Sequence, residues 1–210
     1  MTEHETQWDF VGLRVREARV DAGLTVRELA RRIGVSASHV SQVERGIGAF
    51  SVPALYAVAR ELDVSMHALL DPPAKDAAGP TGGALVGGDL ERSGIVQRAG
   101  EHPSIMLGSG PRWSRLTAGG EENAEFLEVV YAPHTARPEV DIRHEGREYG
   151  IVIAGELTVE VDGATASLRP GDSIVFDSTR PHRFWNDSDA EVRAIWFVRD
   201  TLPGEAAPHA

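Results

Sequence analysis

Two histidines and one glutamate in the second half of the chain are the residues best suited to hold a metal ion. His144 and Glu148 lie four positions apart, and His182 follows later. A continuous strand would separate His144 from Glu148 by roughly 13 Å, at about 3.3 Å per residue, which is too far to share an ion. Gly146 permits a tight reversal that would bring both side chains together. Two imidazoles and one carboxylate then form the facial triad that suits iron(II) and related divalent ions.

The triad of His144, Glu148 and His182 is also compatible with two other kinds of site. Without a metal, these side chains could hydrogen-bond an organic ligand in a polar pocket, or they could be hydrogen-bonded residues of the core. Arg115 and Tyr131 are further candidates for contacting a small-molecule ligand, since an arginine can pair with a carboxylate or a phosphonate. The residue pattern leaves these alternatives open.

A second group of candidate functional residues lies near the N-terminus, on two short helices separated by a glycine. Thr25 and Glu28 form a capping box, which predicts a helix that begins after Thr25. Gly34 forces a sharp turn, and Ser36 caps a following helix over residues 37–44. Two helices joined in this way are typical of the helix-turn-helix, whose second helix enters the major groove of DNA.

Helical periodicity near 3.6 extends over residues 9–70, where we expect five helices. The first helix is predicted to place Arg14, Arg16 and Arg19 on a solvated face. The remaining predicted helix boundaries are Gly23, Ser51, Ser65 and Leu70.

The pattern changes after the helical region. Residues 71–90 are rich in Pro, Gly and Ala, which indicates a flexible linker. Beyond it the hydrophobic period becomes 2, and short strands separated by turns indicate an antiparallel sandwich or barrel. The predicted strands include Ile151–Ile153, Leu157–Val161 and Ile174–Phe176. The predicted division is an all-α domain over 1–70, a linker over 71–90, an all-β domain over 91–200 and a disordered tail over 201–210.

Charge is distributed unevenly along a chain whose net charge is −11. Residues 11–60 carry eight arginines against four acidic residues, whereas residues 71–210 carry 13 basic and 23 acidic residues. This asymmetry indicates a basic binding module joined to an acidic domain. The sequence has no cysteine, which excludes disulfides, thiolate zinc sites and iron–sulfur clusters. No apolar run approaches about 18 residues, so we expect a cytoplasmic protein without a membrane partner.

Many residues at fixed spacings over positions 13–64 carry a family resemblance. They are Leu13-Arg14, Gly23-Leu24-Thr25, Glu28-Leu29-Ala30, Gly34-Val35-Ser36, Ser41, Glu44-Arg45-Gly46, Pro53, Leu55, Leu62 and Val64. This region resembles the phage-repressor-like (XRE-type) helix-turn-helix. The resemblance implies that base edges are contacted by Ala37, Ser38, His39 and Gln42, of which Gln42 can bond an adenine. It implies phosphate contacts from Arg27, Arg45 and the backbone amides that follow Thr25 and Ser36.

A second resemblance covers residues 105–199. Glu148-x(6)-Gly155, Arg169-Pro170-Gly171-Asp172 and His182-x(3)-Asn186 match the two motifs of the cupin family at full spacing. The first motif of that family begins His-x-His, and Ile142 stands where its first histidine is expected. The resemblance implies a jelly-roll β-barrel and a divalent ion such as Fe, Zn, Mn or Ni, held by the remaining donors His144, Glu148 and His182.

A helix-turn-helix, a linker and a cupin in this order resemble a large group of bacterial one-component regulators. The resemblance implies a transcriptional regulator, interpreted here as a repressor and not an enzyme, whose cupin domain senses a small-molecule effector. A homodimer would present two recognition helices to an inverted-repeat operator, with half-sites roughly 34 Å or a multiple apart. The alternative is a mononuclear non-haem iron enzyme similar to the fosfomycin-forming epoxidase, which uses His-x(3)-Glu and a later His as its protein ligands.

Overall fold

The structure is a computed structural model in which both regions predicted to fold are described. The described residues are 9–70, 89–108, 110–118, 121 and 124–199. The predicted tail over 201–210 and residues 71–88 of the predicted linker lie outside them. In the described parts of the chain, no helix is both long enough and apolar enough to span a membrane.

The helical region begins with the caps that the sequence predicts. Its helices are α1 (Asp9–Asp21), α2 (Val26–Ile33), α3 (Ala37–Glu44), α4 (Val52–Leu62) and α5 (Met66–Leu70), and α6 (Asp89–Arg92) follows. The Glu28 amide donates to Thr25 Oγ1 at 3.2 Å, and the Thr25 amide donates to the Glu28 carboxylate at 2.8 Å. Ser51 precedes α4 as predicted, but its side chain makes no capping hydrogen bond with the described residues. Pro53, in the first turn of α4, has no amide proton to donate.

An ion pair inside the helical domain corrects one prediction. Arg19, expected on a solvated face, is only 9% exposed. Its Nε donates to Oε1 of Glu44 on α3 at 2.5 Å, and its Nη2 donates to Oε2 at 2.9 Å. The prediction is wrong because the partner lies 25 residues further along the chain, where helical periodicity within α1 carries no information about it.

The second half of the chain forms two antiparallel sheets. The strands are β1 (Ser104–Met106), β2 (Arg112–Arg115), β3 (Ala124–Tyr131), β4 (Arg147–Ala154), β5 (Leu157–Val161), β6 (Ala164–Leu168), β7 (Ser173–Asp177), β8 (His182–Trp185) and β9 (Val192–Arg199). One sheet has the order β1-β2-β3-β9-β4-β7, and the other has the order β6-β5-β8. The three predicted strands lie within β4, β5 and β7, and those predictions are confirmed. Side chains on β4 alternate between buried and exposed, so one face of the large sheet points inward.

The helical domain packs directly against the β domain. The Gly108 amide donates to the Phe50 carbonyl oxygen at 3.1 Å. A Cβ at position 108 would lie 2.7 Å from the Ala49 carbonyl oxygen, so glycine is needed for this close approach. Leu55 of α4 and Ile105 of β1 belong to one continuous apolar cluster that includes both domains. This packing places the start of α4 beside a cavity that the β domain also lines.

Candidate functional site

The three residues of the triad meet in the described structure. Nε2 of His144 lies 2.7 Å from Oε1 of Glu148, and Nε2 of His182 lies 3.0 Å from the same oxygen. The ligand atoms of the three residues all lie within 4.8 Å of one another. The chain reverses at Gly146, whose φ of 113° is in the region that favours glycine. The reversal predicted from the sequence is therefore confirmed.

Each imidazole of the triad is held between two hydrogen-bond acceptors. Nδ1 of His144 lies 2.9 Å from the Glu145 carbonyl oxygen, and Nδ1 of His182 lies 2.9 Å from the Arg180 carbonyl oxygen. Because a carbonyl only accepts, each Nδ1 carries a proton and donates it. Each Nε2 faces the Glu148 carboxylate and therefore needs either a second proton or a metal ion between the two groups. A divalent ion satisfies both rings in their neutral form, so the triad fits such an ion.

Trp196 also belongs to this site, as a hydrogen-bond partner of Glu148. Its indole Nε1 donates to Oε2 of Glu148 at 2.5 Å and thereby orients the carboxylate. Trp196 lies on β9 opposite Gly150 of β4, where a Cβ would approach the indole ring to 2.3 Å. The glycine at position 150 therefore makes room for the indole, and sequence spacing does not reveal this pairing.

The carboxylate of Glu148 remains ionised in spite of its burial. Burial acts to raise the pKa of Glu148, but hydrogen bonds from His144 and His182 outweigh it and hold the pKa at about 2. The neighbouring Tyr131 responds in the opposite direction. Burial, with a smaller contribution from the charge of Glu148, raises the pKa of the Tyr131 phenol, which therefore stays protonated.

Ile142 occupies the position where the cupin motif has a further histidine. It is buried and pairs with His182 through two backbone hydrogen bonds, of 2.9 and 3.1 Å. An alkyl side chain supplies no ligand atom, so His144, Glu148 and His182 are the candidate protein donors. A site with three protein donors leaves coordination positions for water or for an organic ligand.

Two members of the triad, Glu148 and His182, line a cavity of about 460 Å³ whose walls are mainly apolar and aromatic. Trp113, Tyr131, Phe184 and Trp196 line the same cavity. The structure thus brings Tyr131 to the cavity, as the sequence predicts for a ligand contact. Arg115 is absent from the described lining: it is 7% exposed and borders a separate small void. Its Nε donates to the Thr117 carbonyl oxygen at 3.3 Å.

Asn186, the last residue of the second cupin motif, stabilises a loop. Its Nδ2 donates to the carbonyl oxygens of Ala132 and Ala190, at 2.9 and 2.8 Å. Its Oδ1 accepts from the Ser188 amide at 2.9 Å. The side chain is fully buried, and these bonds use its donors and its acceptor within the protein.

The predicted DNA-contacting residues lie on or beside α2 and α3, and most of them are exposed. The exposed residues are Thr25, Arg27, Ser36, Ser38, Gln42 and Arg45. Ala37 and His39 are half-buried, and the His39 ring meets Phe50 edge-on with the centroids 5.3 Å apart. Ser38 and Gln42 are therefore the predicted base contacts whose polar side chains are most accessible on α3.

Comparisons with known proteins match both halves of the chain. The family model described as Helix-turn-helix matches residues 15–69, and the one described as Cupin domain matches residues 127–198. The HTH-type transcriptional regulator PuuR of Escherichia coli is 24% identical over 186 residues, which cover 88% of this chain and 91% of PuuR. The chain is a transcriptional regulator with an XRE-type helix-turn-helix and a cupin domain.

A solved structure of a transcriptional regulator shows the same fold as this chain. An HTH_3 family transcriptional regulator from Vibrio cholerae matches with a TM-score of 0.60 at 18% identity, over 94% of this chain and 99% of that one. Hydroxypropylphosphonic acid epoxidase from S. wedmorenis matches with a TM-score of 0.40 at 20% identity, over 93% of this chain and 99% of that one. The second likeness is too low to support a statement about activity.

Proposed function

We propose that this regulator binds operator DNA through α3 and that the triad and its cavity bind the effector that controls operator binding. One observation carries the proposal: three side chains of the types that ligate metals meet beside a ligand-sized cavity, in a chain whose other domain is a helix-turn-helix. The proposed effector is a divalent ion, alone or with a compact, largely apolar molecule that supplies one oxygen or nitrogen donor. The proposed direction of control is repression.

The experiment that tests the proposal measures operator affinity as a function of bound metal. Operators are selected from genomic fragments, and fluorescence anisotropy is measured on the chelator-treated protein before and after loading with Fe²⁺, Zn²⁺, Mn²⁺ or Ni²⁺. We expect selective binding to the selected duplex, with an affinity that one of these ions changes by about 5- to 150-fold. Equal binding to operator and scrambled DNA, or identical affinities with and without every ion, would refute the proposal.

The DNA contacts proposed for this regulator divide into two classes. Gln42 and Ser38, with the half-buried Ala37 and His39 beside them, are proposed to contact base edges. Arg27, Arg45 and the amides that follow Thr25 and Ser36 are proposed to contact phosphates, which position the domain without specifying a sequence. The exposure of Gln42, Arg27 and Arg45 supports this division.

Alanine in place of Gln42 is expected to weaken operator binding by about 1–3 kcal/mol and to relax the preference at one base pair. Alanine in place of Arg27 is expected to weaken binding to all duplexes and to reduce the slope of log K against log salt by about 1. Anisotropy titrations on operator and scrambled duplexes at several salt concentrations distinguish the two effects. Arg143→Ala removes an exposed charge from the β domain and is the matched control. Equal losses for Gln42→Ala on both duplexes would contradict a base contact.

A homodimer is the proposed operator-binding form, and the outer face of the large sheet is the proposed interface. Phe126, Phe197, Tyr149 and Val175 lie directly opposite one another across β3, β9, β4 and β7. Each of them is between 38% and 51% exposed. A continuous apolar row on a sheet face is typical of an interaction surface, and a second copy presents the same row to it.

Aspartate in place of Phe197 is expected to weaken the dimer at least about tenfold, because it places a charge at the centre of that row. Light scattering coupled to size-exclusion chromatography, over a range of protein concentrations, measures the change. Ile95→Asp alters an exposed apolar residue outside the sheet and is expected to leave the dimer intact. A Phe197→Asp protein that remains dimeric at the concentrations where wild type does would place the interface elsewhere.

A second candidate function, an iron-dependent oxidative enzyme, is favoured by the three-donor triad. Three protein donors leave positions on the ion for both a substrate and a further ligand. Substrate-dependent oxygen uptake by the iron-loaded protein, together with the absence of selective operator binding, would favour the enzyme over the regulator.

A further inference from the structure

The helical domain contributes part of the wall of the cavity that contains the triad. Ser51, Val52 and Pro53 at the start of α4 line the cavity, together with Tyr56 one turn later. These residues belong to the domain that carries α3. A molecule that fills the cavity therefore contacts the DNA-binding domain directly.

Tyr56 extends from α4 to the triad itself. Its ring is stacked on the imidazole of His144, with the ring centroids 4.2 Å apart and the planes only 4° from parallel. The same ring meets Trp113 of β2 edge-on, with the centroids 6.4 Å apart. Two rings stacked this closely cannot tilt independently, because a tilt of one would bring it into the other.

His144 is the member of the triad whose position depends on the helical domain. His182 lies within β8, is 1% exposed and packs against Phe176 with the ring centroids 4.9 Å apart. His144 precedes β4 and lies outside every described strand. One face of its imidazole is covered by Tyr56, which comes from the other domain.

We propose that Tyr56 is the positioning residue that couples metal binding at the triad to the orientation of the helix-turn-helix. The inference rests on the proposed function. An ion at the triad fixes the plane of the His144 imidazole, and this plane determines how the Tyr56 ring and α4 sit against the β domain. A ligand shifts the equilibrium between two domain arrangements only when it binds one of them more tightly. The stack supplies this difference in affinity because it forms only while α4 lies against the cavity.

The orientation of α4 is transmitted to the DNA-binding helices by direct contacts. Glu61 of α4 forms an ion pair with Arg32 of α2, with the Arg32 Nη1 3.2 Å from the Glu61 carboxylate. Leu55 of α4 is 1% exposed and belongs to the same core as Val40 of α3. A change in the orientation of α4 therefore moves α2 and α3 with it.

The test compares the operator affinity of the full-length protein with and without Ni²⁺, and the ratio of the two affinities measures coupling. The wild-type ratio is expected to be at least about fivefold. Tyr56→Leu, which keeps apolar bulk but removes the stacked ring, is expected to bring the ratio below about twofold. Tyr56→Phe keeps the ring and is expected to retain the wild-type ratio. Arg60→Ala, an exposed change on the same helix, is the matched control.

Further readouts separate coupling from a purely structural role. Tyr56→Leu is expected to retain its metal-free operator affinity within about threefold, since Tyr56 lies outside α3. Because Tyr56 packs on His144, the Ni²⁺ affinity of each variant is measured by chelator competition, and the ratio is taken at saturating Ni²⁺. Tyr56→Met replaces Tyr56→Leu if the leucine variant loses its helical circular dichroism. If Tyr56→Leu or Tyr56→Met keeps the wild-type ratio, the inference is overturned and the proposed function is not affected. If wild type does not respond to Ni²⁺, the comparison is repeated with Fe²⁺, Zn²⁺ and Mn²⁺. A wild-type protein whose operator affinity changes with none of the four ions would refute the proposed function together with the inference.

Discussion

Glutamine in place of Glu148 is expected to abolish divalent-metal binding and to leave the β domain folded. Because a direct ligand contributes at least as much as an outer-shell partner, the metal affinity should fall by on the order of 100-fold or more. The fold should survive because an amide satisfies the same neighbours. Its NH₂ group can donate to Nε2 of His144 and of His182, and its oxygen can accept from the Trp196 indole. In wild type these three contacts measure 2.7, 3.0 and 2.5 Å.

Competition with a chelator of known affinity measures the loss in Glu148→Gln. Glu145→Gln alters an exposed carboxylate in the same segment and should bind metal as wild type does. Retention of wild-type affinity within about tenfold in Glu148→Gln would show that the triad is not the metal site. The wild-type affinity should also decline as the pH falls, because protons then compete with the ion for each Nε2.

A comparison of wild type with Glu148→Gln, both without metal, tests the low pKa of Glu148. The pKa is about 2 in the folded protein against an ordinary value of 4.5, so the ionised carboxylate stabilises the fold above about pH 4.5. That contribution, on the order of 3 kcal/mol, should be lost as the pH falls from 4.5 towards 2. Denaturant unfolding of wild type and Glu148→Gln across this range should show wild type losing more stability. Parallel curves would contradict the low pKa.

Alanine in place of Glu44 is expected to lower the free energy of unfolding of the helical domain by about 3–5 kcal/mol. The Arg19 guanidinium makes two bonds to the Glu44 carboxylate and donates a third from Nη1 to the Leu24 carbonyl oxygen at 2.7 Å. Hydrogen bonding to Glu44 raises the pKa of Arg19. An arginine stays protonated at neutral pH even without such a partner, so the cation persists after Glu44 is removed. Glu44→Ala would leave that charge buried without its counter-ion, which is the costly outcome.

Denaturant unfolding followed by helical circular dichroism measures the effect of Glu44→Ala. Replacing both partners, as Arg19→Met with Glu44→Leu, should recover most of the lost stability because no buried charge remains. Glu17→Ala disrupts the exposed pair with Arg14 and should change stability by less than about 1 kcal/mol. A loss below about 1 kcal/mol in Glu44→Ala would mean that the ion pair is accessible to water. Because Glu44 ends α3, its loss should also weaken operator binding.

The elements of this fold follow closely from local sequence patterns. The capping box at Thr25, the turn at Gly34 and the strand alternation of β4 depend on residues within a few positions of one another. The reversal at Gly146 is equally local, and it explains why the spacing of His144 and Glu148 was sufficient to predict their meeting. Periodicity and capping reflect interactions within one turn or one strand. Because the interacting residues are close together in the sequence, a single sequence is sufficient to predict them.

Those local patterns do not predict contacts between segments that are distant in the sequence. The partner of Arg19 lies 25 residues away, and the indole that orients Glu148 lies 48 residues away. Arg115 appeared suited to an anionic ligand by its type, yet the fold buries it beside a different void. The residue type determines which hydrogen bonds and ion pairs a side chain can form. Burial and the packing of strands determine which of them it does form.

The sequence by itself determined the helix-turn-helix, the β domain and the candidate triad of His144, Glu148 and His182. Tertiary structure alone decided that a tyrosine of the DNA-binding domain stacks on one of these three side chains. The physical reason is that this contact joins α4 to the segment before β4 across an interface between domains. No periodicity spans that interface, because its geometry is set by close approaches such as that of Gly108 to the backbone at Ala49 and Phe50.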